Sequence, residues 1–203
     1  KNLSVFGQMH HTPAKGQSRT YLSLGTHYST PFGIGSFEAF KDLEGGEAFD
    51  ASYSTRFMGW SLGVDGTLYN NFKSDASRFD AGARKTAEAS ARVNKTFSLG
   101  KQNLNLQLEA SYENFLQTGT EYDYAMRTAF GWKNLRFNNS LNLRDADGRP
   151  MDLTGRFKTS TRWGREWQFR TDVNYTIEPE AEIDSARFQA NYRYNRDLTL
   201  VGD

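Results

Sequence analysis

The sequence predicts an all-β fold: an antiparallel, up-and-down transmembrane β-barrel with about 12 strands in this chain, either complete or part of a larger barrel. Three observations carry that expectation. Apolar side chains recur at every second position through most of the 203 residues. The alternating stretches run to roughly ten residues, where about five or six is usual in soluble sheets and about 9–11 suits a tilted strand crossing a bilayer. The connections between them alternate between tight turns and longer loops.

Leu3 to Met9 opens the series, and Ser29-Thr30-Pro31 marks a tight turn. Phe49, Ala51, Tyr53, Thr55 and Phe57 then alternate with Asp50, Ser52, Ser54 and Arg56. Met58, Trp60, Leu62, Val64 and Leu68 follow, and after a long polar stretch come Ala87, Ala89, Ala91, Val93 and Phe97. The next strands carry Leu104, Leu106, Leu108, Ala110 and Tyr112, then Tyr122, Tyr124, Met126, Thr128, Phe130 and Trp132. Leu135, Phe137, Leu141 and Leu143 form another, and Met151, Leu153 and Phe157 the one after. The series continues through Trp167, Phe169, Val173, Tyr175 and Ile177, then Phe188, Ala190, Tyr192 and Tyr194, and a short thirteenth segment begins at Leu198 to Val201. Successive side chains of a strand point to opposite faces, so strict alternation marks a strand that separates two environments. No stretch fits a 3.6-residue helical period comparably well.

Tight turns are expected at Ser29-Thr30-Pro31, Phe57-Met58, Lys133-Asn134, Gly164-Arg165 and Arg196-Asp197, with Ser98 to Asn103 in the same series. Between them fall the longer connections: His10 to Ser18, Asp42 to Glu47, Asn70 to Lys85, Leu116 to Glu121, Asp145 to Pro150 and Glu178 to Glu182. Outer-membrane barrels place short turns on the periplasmic side and longer loops outside.

Composition narrows the function classes. The 25 basic and 24 acidic residues leave a formal charge of +1, which argues against a polycationic nucleic-acid surface, so no nucleic-acid partner is expected. The absence of cysteine excludes disulfides, thiolate metal sites and cysteine nucleophiles. No run of 18 apolar residues suits a transmembrane helix, and no paired basic and apolar segment of a signal peptide opens the chain. Aromatic residues make up 14% of the chain, against an overall hydrophobic fraction of only 37%. That pairing suits neither a disordered segment nor an ordinary soluble core. With no linker, composition shift or internal repeat, residues 1–203 read as a single barrel domain or barrel fragment. The alternation restarting at Leu198 favours a piece of a larger barrel, with a complete twelve-stranded barrel as the competitor.

The polar phase carries Arg56, Asp65, Glu88, Arg92, Glu109, Arg127, Arg136, Arg144, Asp152, Arg156, Lys158, Arg170, Asp172, Arg187 and Arg193. In a membrane barrel these line an aqueous lumen; in a soluble sandwich they face solvent over an apolar core between two sheets. Two features favour lipid. Aromatic residues gather toward strand ends, at Phe57, Tyr69, Phe97, Tyr112, Tyr122, Trp132, Trp163, Trp167, Tyr175 and Tyr194, as expected of rings at a membrane interface. Ala87, Ala89 and Ala91 in one strand are too small for a jigsaw core, whereas lipid demands no such packing. Two residues oppose the pattern: Lys95 lies near a strand end where it can snorkel, while mid-strand Asn139 would call for a bulge.

Chemistry is poorly represented. His10 and His11 read as an exposed loop pair with no further ligand nearby, and His27 falls in a polar phase with no diagnostic partner spacing. Asp145-Ala146-Asp147-Gly148 begins like a calcium loop but lacks its later oxygen ligands, so a turn is the expectation. Glu178, Glu180 and Glu182 form an acidic loop, read as solvated in preference to a divalent-cation site near lipopolysaccharide. No catalytic residue, metal site or cofactor is expected. From Arg127 to Arg193 the polar phase holds more Arg and Lys than Asp, which favours anions, or else the charges pair and impose little selectivity.

One segment resembles a known family. Gly45 to Phe72, GGEAFDASYSTRFMGWSLGVDGTLYNNF, is similar to a barrel hairpin of the fimbrial ushers, the outer-membrane pores of the chaperone–usher pathway. The likeness rests on Gly46, Tyr53-Ser54, Phe57 and Leu68-Tyr69, with YSTPFGIGSFEA resembling the hairpin before it. It implies a large barrel exporting folded pilus subunits, although the usher's plug and periplasmic domains have no counterpart here. The sequence therefore leads to an outer-membrane pore with a polar, charge-lined lumen. Its partners are outer-membrane lipid and lipopolysaccharide, with exported protein subunits if the usher likeness holds. A passive diffusion porin for small ions or solutes is the alternative, and a soluble β-sandwich binding module the alternative from another class.

Overall fold

A computed structural model describes residues 2–12, 19–43, 45–70, 85–193 and 199–202. Its strands are β1 (Asn2–Thr12), β2 (Arg19–Thr30), β3 (Gly33–Asp42), β4 (Glu47–Phe57), β5 (Trp60–Asn70), β6 (Lys85–Leu99) and β7 (Gln102–Phe115). They continue with β8 (Gly119–Trp132), β9 (Leu135–Ala146), β10 (Asp152–Trp163), β11 (Trp167–Glu178), β12 (Glu182–Arg193) and β13 (Thr199–Gly202). All thirteen follow one another in sequence order within one sheet. The registers from β1 through β5 and from β9 through β13 are antiparallel. This is the up-and-down, all-β architecture that the alternation predicts. A sandwich would lay a second sheet over the apolar face; instead Leu3, Leu24, Leu68 and Phe188 stand 70%, 62%, 60% and 57% exposed.

The chain divides into two compact units: Lys1–Val93 with Ala110–Tyr122, and Asn94–Glu109 with Asp123–Asp203. In the first, the buried residues lie on the polar side of the sheet. Ser23, Phe40, Ala48 and Tyr69 occupy successive positions across β2 to β5, and Tyr21 stands beside them opposite Asp42. Tyr21, Phe40 and Ala48 form a small core against which Tyr69 packs, and the Tyr21 and Phe40 rings lie 6.0 Å apart. The second unit has no comparable core among its described residues; its order rests on cross-strand ladders.

Tight turns at Pro31–Phe32, Met58–Gly59, Gly100–Lys101, Lys133–Asn134 and Gly164–Glu166 fall where the sequence places them. Met58 and Gly59 both have positive φ, the pattern of a two-residue turn matched to strand twist. The expected Arg196-Asp197 turn lies outside the described residues, as does nearly all of Asn70 to Lys85. Several longer connections are shorter than expected. Only Leu116–Thr118 separates β7 from β8, because Thr120 and Glu121 continue the ladder. β1 likewise runs on through His10 and His11, which are strand residues and not a loop. His10 stacks on Tyr21 at 4.5 Å, and His11 Nδ1 lies 2.9 Å from Thr20 Oγ1 on the other face.

Asn139 also departs from expectation. No bulge interrupts β9 there; Asn139 sits in regular register opposite Phe157, on the apolar face. The Tyr175 hydroxyl donates to its Oδ1 at 3.4 Å, reaching from β11 across β10. Gly155 makes this possible, since a Cβ at that position would meet the Tyr175 ring at 2.2 Å. A polar group on the apolar face is thus given a partner, which lowers the cost of placing it there.

Candidate functional site

The second unit's polar face is built in rows set by strand register. Arg136, Ser160, Arg170 and Gln189 form one row across β9 to β12, and Asn138, Lys158, Asp172 and Arg187 form the next. Arg162 and Gln168 flank the first row, while Arg156 and Asn174 flank the second. Period-two alternation puts every one of these side chains on one side, and register then gathers them into a single patch.

Asp172 is the acid at the centre of these rows. It accepts two hydrogen bonds from Arg156, at 2.8 and 2.6 Å, and lies 3.6 Å from Lys158 Nζ. The fork geometry makes Arg156 its principal partner. Arg187 stands opposite Asp172 in register, yet among the described residues no ion pair joins them. Arg136, Arg162 and Arg170 have no ion-pair partner among the described residues either. The pairs that do form are half-exposed and contribute little to stability. A basin of about 320 Å³ opens over this patch, lined by Asn138, Lys158, Ser160, Arg170, Asp172, Arg187 and Gln189. A second, of about 260 Å³, is lined by Arg136, Ser160, Arg162 and Gln168. Excess guanidinium charge facing open solvent attracts anions and repels cations.

The first unit's polar face has the opposite sign. Asp50 accepts from Thr67 at 3.0 Å and Asp65 from Ser90 at 2.7 Å. Glu88 accepts from the Tyr69 hydroxyl at 2.6 Å. Lys85 bridges Glu88 and Glu113 at 3.1 and 2.6 Å, and its ammonium lies 5.8 Å from the Phe115 ring centroid. Carboxylates here are held by hydroxyls as much as by cations.

Register places Arg56 and Asp65 on the polar face of β4 and β5, and hydrogen bonding puts Glu88 there too. Arg92 shares the strand parity of Glu88. Arg127 pairs with Glu109 at 3.0 Å. Arg136, Arg144, Asp152, Arg156, Lys158, Arg170, Asp172 and Arg187 share one face by register, with Asp152 directly opposite Arg144, and Arg193 follows by parity with Arg187. Tyr69 requires correction. It pairs with Ala48 on the polar face and so leaves the interface set. The parity of its neighbour Leu68, already in the apolar phase, carried that information. Of the remaining aromatic residues, Trp163 and Trp167 are directly paired, Trp167 packs on Tyr192 at 4.7 Å, and Tyr112 meets Tyr122 at 5.2 Å. Phe57, Phe97, Trp132 and Tyr175 lie in the apolar phase of their strands, and Tyr194 lies outside the described residues. Lys95 is held over the Phe97 ring at 5.1 Å.

The remaining candidates settle into packing and turns. His27 stacks on Phe6 at 4.8 Å. Asp145 to Gly148 ends β9 in a turn, closed by Arg149 N–H donating to the Ala146 carbonyl at 3.1 Å. Glu180 is exposed between β11 and β12. Among the described residues no three His, Asp or Glu side chains converge where a cation could be held.

No protein-family model matches the chain, and no curated protein matches it. Among solved structures it is similar to the KdgM porin, with a TM-score of 0.35 and 12% sequence identity over 96% of this chain and 100% of that one. Superposition that loose leaves function to be read from the two faces of the sheet.

Proposed function

We propose that this chain is a porin-type channel of the bacterial outer membrane, a single barrel domain that passes small ions or solutes passively and carries out no chemistry. The observation that carries the reading is the sorting of the faces. Large apolar side chains stand exposed on one side, with aromatic rings toward the strand ends, and charged rows occupy the other. Water would penalise the first face and lipid the second, so a bilayer on one side and an aqueous lumen on the other satisfies both. Dimensions agree with that placement. From Tyr122 to Trp132, β8 spans ~33 Å, or ~25 Å along the membrane normal at a tilt of about 40°. Lipid and lipopolysaccharide are the surrounding partners. Passive transport is preferred to usher-like export because the open, charge-lined polar face suits small ions or solutes, while export has only the local resemblance of the β4–β5 hairpin behind it.

The arginines left without acids give the lumen an anion preference. The test is conductance in a planar bilayer under a salt gradient. Uniform steps with a reversal potential on the anion side are expected, and the triple variant Arg136→Gln, Arg170→Gln, Arg187→Gln should lose most of that preference while still conducting. A cation-selective wild type would overturn the selectivity. A monomer soluble without detergent that never conducts would overturn the channel.

A further inference from the structure

Each of the four tryptophans stands beside a tight turn, Trp60 in the first unit and the other three in the second. Trp60 begins β5 after the Met58–Gly59 turn, Trp132 ends β8 before Lys133–Asn134, and Trp163 and Trp167 flank Gly164–Glu166. Trp132, Trp163 and Trp167 are 53%, 75% and 40% exposed on the apolar face. Among the described residues of the second unit, each tight turn at the tryptophan end also carries a cation: Lys101, Lys133 and Arg165, against one acid, Glu166. Lys133 Nζ lies over the Trp132 ring at 5.4 Å, so charge and indole are presented together. The opposite end of the same unit is acidic on balance, with Asp145, Asp147, Glu178, Glu180, Glu182 and Asp184 against Arg144 and Arg149 in or beside its loops.

Resting on the membrane reading above, we propose that the tight-turn rim of the second unit is a binding surface for anionic phospholipid headgroups. The chemistry is that of an interface residue pair: indole at the depth of the acyl–headgroup boundary, with an ammonium or guanidinium just above it where lipid phosphates lie. A zwitterionic headgroup offers the phosphate but cancels it with its own amine. The cations therefore discriminate by net lipid charge, each contributing about fivefold in association near an anionic surface at low salt. The acidic far end repels the same lipids, so the rim also fixes which way the chain faces in a bilayer of asymmetric charge.

With Trp60 of the first unit replaced by Phe, the remaining three tryptophans all lie on this rim, and indole fluorescence reports on it selectively. The full chain is folded into vesicles of equal parts phosphatidylglycerol and phosphatidylcholine, with either one or the other lipid brominated. Brominated phosphatidylglycerol is expected to quench the tryptophans with an apparent association at least about fivefold above that of brominated phosphatidylcholine. High salt should erase the difference, as should the triple variant Lys101→Gln, Lys133→Gln, Arg165→Gln. Equal quenching by both lipids with all three cations in place would overturn the proposal while leaving the membrane reading intact. Failure of both brominated lipids to quench would overturn the membrane reading itself. Quenching of the triple variant by brominated phosphatidylcholine confirms that it folds and inserts.

Discussion

The two units are alike outside and different inside. On the apolar side both carry the same alternation of Leu, Val, Ala and aromatic residues. On the polar side the first holds Asp50, Asp65, Glu88 and Glu113 around the Tyr21, Phe40 and Ala48 core, while the second holds rows of arginine around one central acid, Asp172. A uniform environment selects a uniform face. On the membrane reading proposed above, lipid would ask only that side chains be apolar, so the pattern on that face repeats from strand to strand. The inner face is free to be packed in one unit and left open and charged in the other, and that freedom is where a specific function can reside.

The largest effect should come from the packed inner face. Phe40 is 5% exposed and touches Tyr21, so Phe40→Ala is expected to cost about 3–5 kcal/mol in denaturant unfolding from micelles. On the polar face of the second unit, Arg170→Ala should cost under about 0.5 kcal/mol, as a substitution at a solvated surface, while altering ion preference. Equal costs would mean that the two inner faces are not built differently.

The shared outer face gives the next test. Leu106 in the second unit and Val64 in the first both sit mid-strand in the apolar phase. Leu106→Arg and Val64→Arg should each lose roughly 2–4 kcal/mol in lipid, and Gln107→Arg, one residue along and facing the other way, close to nothing. A large penalty at Leu106 alone would limit the lipid-facing surface to one unit.

Parity explains how much of this was legible beforehand. Strand identity, tight turns and the two faces follow from side chains alternating across a pleated backbone, which each strand shows by itself. What the strand cannot show alone is register. The Arg156–Asp172 pair needs β10 and β11 aligned, and the Phe40 core needs β2 to β5 aligned, so neither was visible. Neither was the partner of Asn139, which lies two strands away. Tyr69 is a different case, because its neighbour Leu68 already marked it as facing inward; grouping aromatic residues by nearness to strand ends set that parity aside.

Glycine offers the finest comparison between the units. Gly155 and Gly63 are both strand residues, and sequence context does not separate them. Their surroundings do: a Cβ on Gly155 would fall 2.2 Å from the Tyr175 ring, whereas a Cβ on Gly63 would meet nothing within 4 Å. Gly155→Ala must therefore push Tyr175 aside and strand Asn139 on the apolar face, for a loss of about 1–3 kcal/mol. Gly63→Ala adds a side chain in open space and restricts the unfolded chain, for a gain of about 0.4–1 kcal/mol. Combining Gly155→Ala with Asn139→Leu separates the two parts of the first effect. If recovery is nearly complete, the stranded amide was the cost. If there is none, the cost lies in moving the ring, and it is the Tyr175 ring alone that requires a glycine at position 155.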